Sequence, residues 1–575
     1  MSDAVQLPNN VRPIKYHLTL VPDLGSFTFR GDETVEIEVL EPTSTIVLNA
    51  DELSIQSAQI ISEVHQPRRA RNIVLDAASE TARLEFGDEI PLGPARLHIQ
   101  FTGELNDKLR GFYRSRYTDA QGQERWMAST QFEASDARRA FPCWDEPALK
   151  ARFQLTMVVP RDLTVISNTP VEAELDAGRG MKQVRFQETP PMSTYLLAFV
   201  VGDLACVEQR HRSGTLMRVW ATRGREHQGR FALETSLRIL DYMNDYFGIP
   251  YPLPKLDHVA IPDFAAGAME NWGCITYRET ALLVDPENSP AATRQRVAEV
   301  VAHEMAHMWF GDLVTMRWWN DLWLNESFAS WMGTKTVDNL FPQWDMWTQF
   351  LDQDTVRGLA LDGLKNSHPI EVEVKTPGEI RELFDEISYS KGAAILRMLE
   401  QFLGPEVFQR GIQRYLSQHI HGNATTADLW AALEEVSGQP VGRLMDSWVK
   451  QTGYPVVEVG SRRQRGGLAL ELSQKRFLYS HLIGEGQDDQ TLWSVPLGVV
   501  TSWHQQPVRH LMEERKTTLR LKGTAPRDSR AWFKVNPLQT GFYRTLYQPQ
   551  DWERLLPAVA SLELPAADRL GIQND

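Results

Sequence analysis

Short runs with alternating apolar and polar residues, or clustered β-branched residues, dominate the chain from about Tyr16 to Cys206: YHLTLV, ETVEIEVL, STIVLNA, ARLHIQF, ARFQLTMVV and TYLLAFVV. A period of two gives a strand one core face and one wet face. Gly, Pro, Asn and Asp punctuate these runs closely, which predicts an antiparallel sandwich or saddle-shaped sheet. At Arg230 the period changes. RFALETSLRILDYMNDYFG, ending at Gly248, repeats its apolar residues three and four apart and predicts a helix. Helical patterning continues to about Lys450, with runs over Val297 to Gly311, Leu322 to Leu340, Gly392 to Leu403 and Ala427 to Val436, the last with Thr425 or Thr426 as N-cap. Strand patterning returns at Tyr454 to Val459 and persists through LALELS, SVPLGVVTSW, TTLRLKG and AWFKVN to about Tyr547. The last 28 residues read as the opening of a helical region that stops without a domain to belong to. The expectation is a multidomain α+β chain: a β domain over 1–205, a mainly helical domain over 206–452, a small β-sandwich over 453–547 and the start of a helical domain over 548–575.

Composition narrows the partners. At 575 residues the chain is too long for one core. A hydrophobic content of 42% and a charged content of 23% leave no sign of bulk disorder. The net charge of −15 would repel nucleic acid and anionic membrane, so neither is expected as a partner. Three scattered cysteines, Cys143, Cys206 and Cys274, make neither a disulfide framework nor a cysteine-rich metal site. With no basic n-region before an apolar stretch at the start, and no apolar run near the ~18 residues that span a bilayer, the expected compartment is the cytoplasm.

The run VAEVVAHEMAHMWFG carries the chemistry. His303 and His307 are four residues apart, on one face of a helix and one turn from each other, so both imidazoles can reach one metal ion. Glu304 is rotated about 100° off that line, which suits a general base rather than a ligand. The flanking Val297, Val300, Val301, Met305, Met308, Trp309 and Phe310 indicate burial, and buried polar groups need partners. A hydrolytic zinc site takes three protein ligands. Glu326, in the apolar helical run DLWLNESFASWMG, is the candidate third, because a metal offsets the desolvation of its carboxylate.

His303-Glu304-Met305-Ala306-His307, with Glu326 after an 18-residue gap and with Gly267-Ala268-Met269-Glu270-Asn271 upstream, resembles the M1 family of zinc aminopeptidases in the gluzincin clan. QFEASDARRAFPCWDEPALK (Gln131 to Lys150), ISYSKGA around Tyr389 and WVKQTGYPVVEV extend the likeness over essentially the whole chain, nearest to the puromycin-sensitive and related cytosolic branch. The resemblance implies a thermolysin-like catalytic domain with one Zn2+ per chain on His303, His307 and Glu326. It implies Glu304 as base and Tyr389 as the phenol that stabilises the oxyanion. It also implies Glu133 and Glu270 as the carboxylates that hold a substrate's terminal ammonium, with Gly267, Ala268 and Met269 lying along the peptide. Phe132 and Met269 are candidates for the wall of the first side-chain pocket. Asp136, Arg138, Arg139, Asp145 and Glu146 are expected as structural ion pairs. The expected activity is removal of single amino acids from free N-termini of peptides by a monomer or weak oligomer. The alternatives are an enzyme like leukotriene A4 hydrolase, disfavoured by the β segment from Tyr454 to Tyr547, and a catalytically weak scaffold, since four-domain relatives continue into a large C-terminal helical domain.

Overall fold

Alternation decides the first sheet. In the strand Val11–Asp23, Tyr16, Leu18 and Leu20 are buried while their neighbours are partly exposed. It pairs antiparallel with Thr28–Val39, placing Tyr16 opposite Val35, so Val35, Ile37 and Val39 extend the same core face. Eight strands follow from this pairing, in the order Val171–Gly178, Met181–Phe186, Arg152–Pro160, Val11–Asp23, Thr28–Val39, Gly93–Glu104, Ser54–Ser62, His65–Arg69. Every neighbouring pair is antiparallel except Val11–Asp23 with Arg152–Pro160. Smaller sheets of three and four strands complete the β-rich N-terminal region. The computed structural model describes residues 6–62, 65–374, 377–464, 467–482, 489–521 and 531–575. Its contacts divide the chain into two units, Met1–Trp319 with Val374–Arg381 and His419–Ala424, and Asn320–Glu373 with Glu382–Gln418 and Thr425–Asp575.

One expected strand is broken. TYLLAFVV forms a 3-10 turn, Thr194–Leu196, before a strand at Phe199–Gly202. Side chains replace the ladder there: Thr194 Oγ1 donates to Asp145 at 2.6 Å, Ser193 Oγ to the Pro147 carbonyl at 2.7 Å, and Ala198 N–H to Asn168 at 2.9 Å. Buried polar backbone is satisfied either way, so an apolar run cannot distinguish the two.

The first unit also holds a mixed sheet in the order Leu204–Arg210, Leu216–Thr222, Lys255–Ile261, Cys274–Arg278, Ala268–Met269. The helix Arg230–Phe247 joins its parallel strands Leu216–Thr222 and Lys255–Ile261, ending at Gly248 with a left-handed φ of 66° that glycine adopts without strain. This helix packs on the helix Ala291–His307. The latter begins after Pro290 and stops at His307, so the expected Val297 to Gly311 helix is longer at its start and shorter at its end. Its end is set by a tight return: Asp312 N–H donates to the His307 carbonyl at 3.0 Å, with Gly311 at φ 136°.

In the second unit the helices Trp323–Leu340 and Gly392–Leu403 pack together, burying Phe328, Trp331, Met332, Ile395 and Leu396. The helix Thr426–Ser437 is capped by Thr425, whose N–H and Oγ1 both donate to Asp428 at 2.8 Å. Two sheets follow, Lys516–Leu521, Gly467–Arg476, Pro455–Gln464, Arg544–Tyr547 and His504–Met512, Val495–Thr501, Phe533–Val535. The last residues form the helices Pro549–Ala560 and Ala566–Asn574. These helices do have a core to belong to: Leu555, Ala558 and Leu564 cluster with Trp532, against Val500 and Tyr547 of the sheets. Leu546, Leu556 and Leu562 remain exposed.

Candidate active site

The helix Ala291–His307 is buried along Val297, Ala298, Val300, Val301, Ala302, Met305 and Ala306, and this fixes the direction of its two histidines. His303 Nε2 and His307 Nε2 stand 3.1 Å apart, with their rings inclined at 74°. His307 Nδ1 lies 2.9 Å from the Phe310 carbonyl, an acceptor only, so Nδ1 carries the proton and Nε2 presents its lone pair towards His303. Two nitrogens at about 2.0–2.1 Å from a tetrahedral zinc stand roughly 3.3 Å apart, so this pair fits zinc. The turn that ends the helix thus also orients the His307 ring. Glu304 is buried on the same helix.

The edge strand Ala268–Met269 brings up the second group. It pairs with Cys274–Arg278, and Gly267 accepts the Arg278 N–H at 2.9 Å. Asn271 donates to Thr276 Oγ1 at 3.1 Å and holds the return between the strands. Glu270 is buried, with Oε1 4.0 Å from His307 Nδ1. Donor atoms of Glu270, Glu304 and His307 lie within 4.8 Å of one another, as do carboxylate oxygens of Glu133 and Glu270. Carboxylates this close repel in a low dielectric, and a cation among them relieves the repulsion. Residues 170 positions or more apart in sequence, the loop at Glu133 and the helix at His303, therefore converge on one polar centre of the first unit.

Glu326 and Tyr389 belong to the second unit. Glu326 is buried in the first turn of the helix Trp323–Leu340, and Tyr389 is half-buried in the turn Ile387–Lys391. Ser327 Oγ donates to the Ser388 carbonyl, tying that turn to the residue after Glu326.

The expected ion pairs are present. Arg138 meets Asp145 at 2.9 Å, and Arg139 meets Asp136 at 2.7 Å. Arg381, unremarked in the sequence, reaches Asp136 at 3.1 Å. Glu146 instead accepts the backbone N–H of Leu7. Phe132 packs between Phe141 and Phe199, so it is a core residue of the first unit. Met269 is buried and accepts from Gln131 Nε2 through its sulfur at 3.4 Å. Sequence reasoning also passed over Lys150 and Asp312. Lys150 Nζ reaches the Asp312 carbonyl at 3.5 Å, burial pushes its pKa down to about 7, and burial raises the Asp312 carboxyl well above its usual range. A lysine and an aspartate in mixed sequence give no periodic signal of burial.

Models of two families match the chain: the Peptidase M1 N-terminal domain over residues 12–196 and the Peptidase family M1 domain over residues 231–448. The chain belongs to peptidase family M1. Within the family it is 48% identical to Aminopeptidase M1 of Arabidopsis thaliana, with 99% of this chain and 65% of that protein aligned. It is 42% identical to the puromycin-sensitive aminopeptidase of Caenorhabditis elegans over 99% of this chain and 60% of that protein. To the alanine/arginine aminopeptidase of Saccharomyces cerevisiae it is again 42% identical, over 99% and 65%. The chain therefore spans roughly 60–65% of these M1 relatives. Among the described residues, no helix is long and apolar enough to cross a membrane.

Proposed function

We propose that the protein is a zinc metallo-aminopeptidase that removes single residues from the free N-terminus of peptides. The observation that carries this reading is the facing histidine pair, 3.1 Å between Nε2 atoms, in the same unit as the close carboxylates of Glu133 and Glu270. A metal-binding pair alone suits many hydrolases. Two carboxylates beside it, Glu270 at the end of an edge strand and Glu133 in the loop after another strand, select a substrate with a terminal ammonium.

His303, His307 and Glu326 would hold the zinc, and the buried state of Glu326 supports its part. When bound, the ion supplies Lewis acidity, which makes water nucleophilic near neutral pH and polarises the scissile carbonyl. Glu133 and Glu270 bind the ammonium and so fix which peptide bond is presented. Gly267, Ala268 and Met269 offer backbone to an extended peptide. Glu304 accepts the proton of the attacking water and returns it to the leaving amine. The Tyr389 hydroxyl donates a hydrogen bond to the developing oxyanion. The domain boundaries 1–205, 206–452, 453–547 and 548–575 and a cytoplasmic location complete the proposal. The location is supported by three unpaired cysteines.

Zinc content and turnover of unblocked aminoacyl arylamides, with E304A as control, test it. The expected result is about one zinc per chain in both proteins, with E304A losing about 100- to 10,000-fold in kcat. Bound zinc with no turnover by the wild-type chain would favour a scaffold instead.

A further inference from the structure

Tyr389 sits in a five-residue turn, Ile387–Lys391, that is anchored at both ends by neighbouring residues of one loop. At its start, Asp385 Oδ1 accepts the N–H groups of Ile387 at 2.9 Å and Ser388 at 3.2 Å, while the Asp385 carbonyl accepts the N–H of Tyr389 itself at 3.0 Å. The other carboxylate oxygen, Oδ2, lies 2.7 Å from His368 Nε2. At the end of the turn, Lys391 Nζ meets Asp362 at 2.8 Å, both fully buried, and Asp362 also accepts from Ser367 Oγ at 2.9 Å. Ser367 and His368 thus reach the two ends of the segment that carries Tyr389.

The surroundings of His368 favour its protonated form. Nδ1 lies 2.7 Å from the Pro369 carbonyl and Nε2 lies 2.7 Å from the Asp385 carboxylate. Both partners are acceptors only. A neutral imidazole carries one N–H and satisfies one of them; an imidazolium satisfies both. We propose that His368, held as an imidazolium between the Pro369 carbonyl and Asp385, is a positioning residue that fixes the Tyr389 turn, and that losing its proton loosens the turn.

The proposal rests on the assignment of Tyr389 to the reaction. A hydrogen-bond donor misplaced by about 1 Å costs roughly 100-fold in rate, so an anchor of this turn should act on kcat. The charged groups around the pair are few. Asp385 faces the ring directly, Lys391 opposes its protonation but is paired with Asp362, and Glu386 turns to Ser390 Oγ and lies 3.8 Å from Arg357. The hydrogen bond to Asp385 raises the His368 pKa above 6.5, against burial. With the folded value raised, both bonds are made below the ordinary histidine pKa, and as pH rises through the folded value one of them is lost and the bond to Asp385 loses its charge assistance.

Hydrogen exchange of the Ile387 and Ser388 amides, corrected for intrinsic rate, tests this in the full chain at about pH 6 and about pH 9. Kinetics on an unblocked alanyl arylamide run alongside, in wild type, H368A and H368Q. Glutamine keeps a donor for Asp385 and cannot titrate. H368A is expected to lose about tenfold in protection at the lower pH and about tenfold or more in kcat, with KM within about twofold. Wild type loses protection at the higher pH, whereas H368Q retains protection and kcat at both. Unchanged protection in H368A, or an H368Q pH dependence equal to wild type, overturns the proposal. A wild-type chain that cleaves no arylamide refutes the peptidase reading instead, and the exchange data still decide whether His368 holds the turn.

Discussion

Some residues announce their role by sitting where their chemistry is costly. His303, Glu304 and His307 do so in the sequence, as polar groups inside an apolar helical run, and the structure brings the two Nε2 atoms within 3.1 Å of each other. Glu33 has the same cost without the signal. In ETVEIEVL it occupies one position in an alternating pattern that otherwise puts glutamates on the wet face. Its partner in register is Leu18, and it is fully buried, with neither oxygen hydrogen-bonded among the described residues. Burial holds its pKa well above 4.5. Folded protein therefore keeps a proton that the unfolded chain releases above its own pKa of about 4.5, and stability falls as pH rises from there to the folded value. E33M should remove that slope and stabilise the protein by about 1–3 kcal/mol at neutral pH. Urea denaturation at several pH values checks this, and an E33M slope equal to wild type contradicts it.

Elements with a strong period were legible, while elements held by side chains were not. The helices Arg230–Phe247 and Gly392–Leu403 lie where the three-and-four spacing puts them, and Thr425 caps where a Thr before an apolar run should. TYLLAFVV misled because its apolar run says buried, and hydroxyl and amide side chains then set its backbone path. The turn Ile387–Lys391 was visible only through likeness to a family, since no periodicity marks it. Its end is held by the buried Lys391–Asp362 pair, where burial keeps the lysine's pKa below its usual value and Asp362 offsets part of that. Removing one partner strands the other, so D362A should cost about 3–5 kcal/mol. The expected observation is an equilibrium denaturation midpoint that drops accordingly; a loss below about 1 kcal/mol would mean that the pair contributes little.

At the scale of the whole molecule, the proposed zinc ligands come from two helices, His303 and His307 near the end of one and Glu326 in the first turn of another. The 18-residue gap was legible because both helices carry a polar group where burial demands a partner. The tie among His368, Asp385 and the Tyr389 turn was not, because its partners come from separate loop segments. If the three ligands share one ion, zinc binding is linked to folding of the chain. Zinc at about 100 times its dissociation constant should stabilise wild type by about 2.7 kcal/mol, and E326Q should lose most of the accompanying rise in Tm. Equal rises in both proteins would remove Glu326 from the ligand set.

The recognition of a free N-terminus is the central claim, and the ratio of kcat/KM for an alanyl arylamide to that for its N-acetyl form measures it most directly. The wild-type chain should prefer the free amine by at least about 100-fold, and E270Q should lose most of that preference while still binding zinc. Comparable hydrolysis of the acetylated substrate by the wild-type chain would contradict the aminopeptidase assignment.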